Sequence, residues 1–405
     1  MSRQAGVQPV FVSCSLRRDF AIVMKIDPPE SSDHRAGLCP NFEEWRPLWK
    51  TLVESSSREL GENLPGEFRL VTIDGQILPM LIPHPRQPAA DVCSPVSRYS
   101  HYPLVEIRKR APSWRTPLFA AAATAWAGLL TGLQIDWTVQ LNNHLLTTNP
   151  APRLTESGLR GWIREMRAEF PRHTLLFRTV IPTLESQLAE TLQSSGARMV
   201  PTRVVNVIDP TRSDFERHAN VRRDRALLRQ TPYHIRGLSP GAPIDAERIV
   251  ELYRTLYLDK HGPFNAAFNR RFFEALLATP AIRWAFWESP ATGRIDAFSS
   301  WFRSGGSLTS MLVGYDRSLP AKLGLYRMAL MYPVFHEAQP AGLPINLSGG
   351  ATSFKQLRGA QTVREYDAVW DRHLPAWRRL PWHLVTWEGQ QFGRRELAAS
   401  PPGTD

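Results

Sequence analysis

The stretch Pro344-Ile-Asn-Leu-Ser-Gly-Gly-Ala-Thr-Ser-Phe-Lys-Gln-Leu-Arg-Gly359 decides how this chain is read. Residues 344–347 are a short apolar run suited to a buried strand. Ser348-Gly349-Gly350 is a turn cluster, and the residues after it place Phe354-Lys355 on a short helix that Gly359 ends. Working backward, residues 282–288, 296–303 and 308–315 read as three strands split by Ser-Pro-Ala-Thr-Gly and Ser-Gly-Gly turns, which predicts an antiparallel meander. A helix over 322–338 links that meander to 344–347, and 363–370 forms a last strand. Upstream, 246–261 and 271–278 read as helices.

The first half has a similar grammar. Residues 66–73 and 76–82 flank Asp74-Gly75, a hairpin turn in which Gly accepts positive φ. Helical spacing over 157–170 and 184–194 alternates with strand-like runs at 173–180 and 204–208. The fold class expected is α+β, with an N-terminal lobe over 41–209, a C-terminal lobe over 210–390, an unstructured segment over 1–40 and a flexible tail over 391–405. Met24 is an alternative start to Met1. The 405 residues, 42% hydrophobic and 21% charged, suit two soluble domains.

A net charge of +11 favours anionic partners, although an Arg-rich composition explains it as readily. Cys14, Cys39 and Cys93 have neither zinc-finger nor disulfide-framework spacing, so no metal is expected. Arg17, Arg18 and Asp19 interrupt any signal-peptide core, which makes a cytoplasmic location the expectation. Residues 117–135 are uncharged but Ala-rich, so a buried or half-buried helix is expected there rather than a membrane span. Metalloprotease, nucleophile-elbow, phosphate-loop and dinucleotide fingerprints are all missing from the sequence.

Several residues suit anion binding or proton transfer. His218, Arg222, Arg225 and Arg229 fall on one helical stripe, which a capping box of Ser213 and Glu216 would open, and guanidinium groups grip phosphate with paired hydrogen bonds. Ser348, Gly349 and Gly350 can converge backbone N–H groups on a phosphate or an oxyanion. Tyr315 and Asp316 at a strand end, and His261 in a loop, are candidate acids or bases. Each also has a plain structural reading as a strand corner, a turn or a solvated loop.

This order of elements, with Phe354-Lys355 before Gly359 and the Arg-rich segment 220–229, resembles the GNAT-type N-acyltransferases. The version it resembles is the divergent one shared with the Fem aminoacyl-tRNA-dependent peptidyltransferases. The resemblance implies two tandem GNAT-like lobes, each a mixed, largely antiparallel sheet flanked by helices. It implies acyl transfer from acyl-CoA to a primary amine of a small-molecule or cell-envelope acceptor, by direct attack and with no cofactor beyond the donor. By resemblance Lys355 steadies the acyl carbonyl oxygen or a donor phosphate, and Phe354, Arg358, Lys322 and Arg327 line the donor. The loop 317–326 departs from the pattern because it lacks paired glycines for the CoA pyrophosphate. That keeps aminoacyl-tRNA open as donor, and a non-catalytic, basic nucleic-acid-binding protein is the alternative of another class.

Overall fold

The computed structural model describes residues 42–84, 89–101, 116–238, 244–259 and 262–398. The expectations for 1–40, Met24, His261 and 399–405 lie outside the described residues.

The first half opens with α1 (Phe42–Glu54) and the hairpin β1 (Glu67–Ile73) and β2 (Gln76–Ile82). Asp74 (φ 52°) and Gly75 (φ 74°) both lie at positive φ, the conformation that matches the twist of a two-residue turn. Then come α2 (Thr116–Gly132), β3 (Thr138–Leu141), α3 (Glu156–Glu169), β4 (Thr174–Val180), α4 (Ser186–Ser194) and β5 (Arg198–Ile208). The second half runs α5 (Ala219–Gln230), β6 (His234–Gly237), α6 (Ala246–Tyr257), α7 (Arg270–Leu277), β7 (Ile282–Glu288), β8 (Ile295–Ser304) and β9 (Ser307–Tyr315). It ends with α8 (Leu325–Pro333), β10 (Ile345–Asn346), α9 (Thr352–Gln356), β11 (Gln361–Trp370) and α10 (Ala376–Ala398).

Among the described residues eleven strands form one open sheet in the order β1-β2-β3-β4-β11-β5-β10-β9-β8-β7-β6. Each half contains one parallel pair, β3 with β4 and β9 with β10. Each pair is then flanked by an antiparallel strand from the opposite half, β11 beside β4 and β5 beside β10. The two halves have exchanged strands, and β11 and β5 pair antiparallel at the centre. The α+β class and the tandem arrangement hold, but the boundary at 209/210 divides the sequence and not the sheet.

Four local expectations change. The helix over 322–338 starts at Leu325 and changes character at Pro333, whose missing N–H leaves the Ala329 carbonyl without its usual donor, so that Val334–Ala338 continue it as a π turn. No capping box forms, because Phe215–Arg217 make a 3-10 turn and α5 starts after His218; the Glu216 carboxylate instead accepts from Arg225 and Gln339. The α2 helix buries Ala127 and Leu130 but leaves most of its length exposed. Residues 391–398 continue α10 rather than starting a tail.

The exchange is secured by a buried ionic node. Glu365 of β11 is fully buried and accepts from Arg98 (3.0 Å), Arg203 (3.1 Å), Thr148 (3.1 Å) and Thr202 (3.1 Å). Burial pushes its carboxyl up, but the Arg203 and Arg98 guanidiniums outweigh burial and hold it below its usual range. Asp367, two residues on, accepts from the Tyr99 hydroxyl (3.0 Å) and the Thr179 N–H (3.1 Å).

Candidate functional site

The two parallel pairs differ in length. β3 and β4 pair over four positions, whereas β9 and β10 pair over two, Ile345 with Leu308 and Asn346 with Thr309. Beyond Asn346 the chain turns at Ser348 (φ 63°) while β9 continues to Tyr315, so the sheet opens as a V. The β8–β9 register shifts at the same place: Ser300 faces Leu312 and Trp301 faces Ser310, which leaves Met311 as a bulge. Bulges re-aim side chains and end pairing next to active sites.

A cavity of about 20 Å³ sits in this V, room for about one water. Both halves line it: Asp91 and Thr148 come from the first, and Tyr257, Ser310, Met311 and Ser348 from the second. The Tyr257 hydroxyl accepts the Val313 N–H at 3.3 Å, so this amide of β9 points out of the ladder into the open side. Tyr253 stacks on Tyr257 with ring centroids 4.6 Å apart, and its own hydroxyl is anchored on the Ala266 carbonyl at 2.7 Å. Burial raises the Tyr257 phenol, keeping it protonated as a donor.

Asp91 is the acidic group of the cavity. Its backbone N–H is tied to the Phe264 carbonyl at 2.9 Å, and the residue is 7% exposed with no side-chain hydrogen bond to another described residue. Burial raises this carboxyl against the opposing pull of Arg98, Arg178 and Arg203. Arg178 is still more deeply buried and spends one N–H on the Val92 carbonyl, with Nε and Nη2 unpaired among the described residues. Burial and Arg98 bring it down to about 10.

The residues singled out in the sequence fall into three groups. The first surrounds the turn after β10. Lys355, 2% exposed, donates its three ammonium protons to the carbonyls of Leu347 (2.7 Å), Ser348 (3.1 Å) and Gly349 (2.7 Å). Burial and Arg203 bring it down to about 7. In a trans peptide the N–H points opposite the carbonyl, so this clamp turns the N–H groups of the next residues outward. The Ser348 N–H is taken by Asn346 Oδ1 at 2.8 Å, while those of Gly349 and Gly350 have no acceptor among the described residues.

The second group is consumed by the fold. Arg358 and Arg327 both bind the buried Asp224 carboxylate, Arg358 Nε at 2.5 Å and Arg327 Nη2 at 2.6 Å, and so lock α8 and the residues after α9 onto α5. The sequence expected both to face the donor. Arg225 pairs with Glu216 and lies over the Phe335 ring at 4.4 Å. Asp316 accepts from Arg248 (2.6 Å) and from the Ser318 hydroxyl (2.5 Å). Burial opposes ionisation there, but the Ser318 and Arg248 hydrogen bonds win and hold the carboxyl down at about 2, too acidic for a base near neutrality.

The third group is accessible. Arg222 and Arg229 are exposed on α5, with Arg222 donating to the Glu216 and Arg217 carbonyls, and Lys322 is exposed ahead of α8. Tyr315, Tyr326 and Phe354 form a row with ring centroids 5.7 and 5.3 Å apart, ending under the Arg358 guanidinium at 3.4 Å. Gly324 (φ 68°) starts α8 beside them, where a Cβ would meet Leu227 at 2.5 Å.

Sequence reasoning missed Asp91, Thr148 and Tyr257. Asp91 alone left a signal: it is the single charge in Ala89-Ala-Asp-Val-Cys-Ser-Pro-Val-Ser97, a run otherwise suited to burial. No group of His, Cys, Asp and Glu able to hold a metal occurs among the described residues.

Part of the chain is similar to a known family, and its fold is similar to several solved structures. Residues 216–356 match the acetyltransferase (GNAT) domain model. The structure of L-PGS from Bacillus licheniformis is similar at a TM-score of 0.46 and 13% identity, covering 87% of this chain and 99% of that one. The crystal structure of FemX is similar at a TM-score of 0.47 and 7% identity, covering 81% and 95%. A tandem GNAT protein from the clavulanic acid biosynthesis pathway is similar at 0.34 and 17%, covering 59% and 76%. No curated protein matches the sequence. The V between β9 and β10, its bulge and its outward amide lie within residues 216–356, the segment similar to acetyltransferase (GNAT) domains.

Proposed function

We propose that the chain transfers an acyl group from acyl-CoA to a primary amine within the V between β9 and β10. The observation that carries this reading is the Val313 N–H, directed out of the ladder toward the Tyr257 hydroxyl. A donor carbonyl displacing that hydroxyl receives the Val313 N–H, which stabilises the oxyanion formed when the amine attacks. The new C–N bond forms as the C–S bond breaks. The amine proton passes to Asp91, and the departing thiolate takes a proton from Tyr257. Holding donor and amine together in one cleft supplies much of the rate.

Lys355 acts as a positioning residue in this scheme. Its clamp presents the Gly349 and Gly350 amides to the donor's phosphate. A second reading, aminoacyl-tRNA as donor, is favoured by the exposed Arg222, Arg223 and Arg229 of α5. Native mass spectrometry with acyl-CoA and charged tRNA offered together tests the choice. Retained acyl-CoA supports the first reading, and retention of charged over uncharged tRNA supports the second. Asp91→Asn should lower kcat about a hundredfold while the protein stays folded. Retention of neither donor, together with unchanged transfer by Asp91→Asn, overturns the proposal.

A further inference from the structure

Two helices far along the sequence from each other, α2 and α10, lie side by side on one face of the sheet. Ala127 and Leu130 of α2 and Trp382 and Val385 of α10 belong to one buried cluster. Glu388 of α10 is held against Trp126 of α2. Both helices turn their opposite sides away from the sheet, and both of those sides are apolar.

On α10, Trp377 (49% exposed), Leu380 (45%) and Trp387 (64%) recur at helical spacing with the half-buried Leu384 between them. On α2, Leu118, Ala122, Ala125 and Leu129 make a second exposed stripe, and none of its seventeen residues is charged. Of the eight large apolar side chains exposed among the described residues, five lie on these two helices, so the apolar exposure is concentrated and not scattered.

We infer that this face docks on an anionic lipid surface. Three observations select that occupant. Tryptophans at the edge of an apolar stripe suit the boundary between headgroups and chains, where the ring is buried and its N–H stays wet. Among the described residues the charges flanking the stripe are basic: Arg372 is exposed and Arg379 is half-buried. The single acid among the fully described positions of α10, Glu388, is turned toward Trp126. Among the described residues no helix is long and apolar enough to cross a membrane, so the face lies on the surface and does not enter it. A second copy of the chain fits less well, since a two-fold contact brings each arginine-flanked patch against itself.

The test is flotation of the full chain with vesicles of phosphatidylserine and phosphatidylcholine, and with phosphatidylcholine alone. The expected result is binding to the anionic vesicles with a blue shift of tryptophan emission, and much weaker binding to the neutral ones. Trp377→Gln with Trp387→Gln, both at exposed positions, should reduce binding on the order of tenfold without changing thermal stability. Binding by that double variant equal to wild type would show that net charge alone attracts the protein, which overturns the proposal. So would failure of the wild type to float, or a solution dimer that the double variant makes monomeric. A protein inactive in acyl transfer that still floats through its tryptophans separates this inference from the catalytic one.

Discussion

The β3–β4 and β9–β10 pairs are two versions of one arrangement put to different uses. In each half a non-glycine residue lies in the left-handed region two positions past the last parallel pair: Thr179 after Phe177, and Ser348 after Asn346. The first half fills the space beyond its pair. Asn142, Asn143 and Asn149 knit the loop to the Pro150 and Val92 carbonyls and to Thr179. The second half leaves its space open, with a bulge, an outward amide and a buried carboxylate, Asp91, supplied by the other half. Filling makes a scaffold, and leaving the V open makes a site.

The comparison yields tests in order of expected effect. Glu365→Ala removes the common partner of Arg98 and Arg203, and should cost about 3–5 kcal/mol in chemical denaturation, with both halves unfolding in one transition. Two separate transitions would break the idea of a single exchanged sheet. Tyr257→Phe deletes the hydroxyl facing Val313 in the open V; kcat should fall about a hundredfold with little change in Tm. An unaltered rate would remove Tyr257 from the chemistry. Asn143→Ala in the filled V should do the reverse, costing about 1–3 kcal/mol while the rate per folded molecule persists, because it strands the Leu145 N–H and the Gln140 side-chain oxygen.

The smallest effect concerns Asp316. Its carboxyl titrates near 2 in the fold against 3.8 unfolded, so its stabilisation is complete above pH 3.8 and is lost as pH falls toward 2. Asp316→Asn should abolish that acid dependence, worth about 1 kcal/mol after solvent screening, and leave transfer within a few-fold. Stability against pH for the two proteins checks the first point. A collapse of activity would restore Asp316 as a base.

The meander, the Asp74-Gly75 hairpin and the helix carrying Lys355 were legible because alternation, turn chemistry and glycine are local signals. The exchange of β5 and β11 was not, because pairing between residues 361–369 and 198–207 leaves no mark in either segment alone. Burial decided the charged residues in the same way. Arg327 and Arg358 look in sequence like phosphate ligands, and only the fold brings Asp224 between them. Lys355 was found as a residue but not in its geometry, since three carbonyl acceptors converge on it only once the turn after β10 closes. Short strands without flanking turn signals, such as Thr138–Leu141, fell below the pattern altogether.

The exchanged strands also set a timetable for synthesis. When β5 leaves the ribosome the place between it and β4 is empty, and more than 150 residues separate its end at Ile208 from the start of β11 at Gln361. Throughout that interval the nascent chain carries two bare strand edges, both bordered by apolar core. Its first half therefore waits for its last strand, and a ribosome stalled before Gln361 releases a fragment whose nearest substitute is the edge of another such fragment.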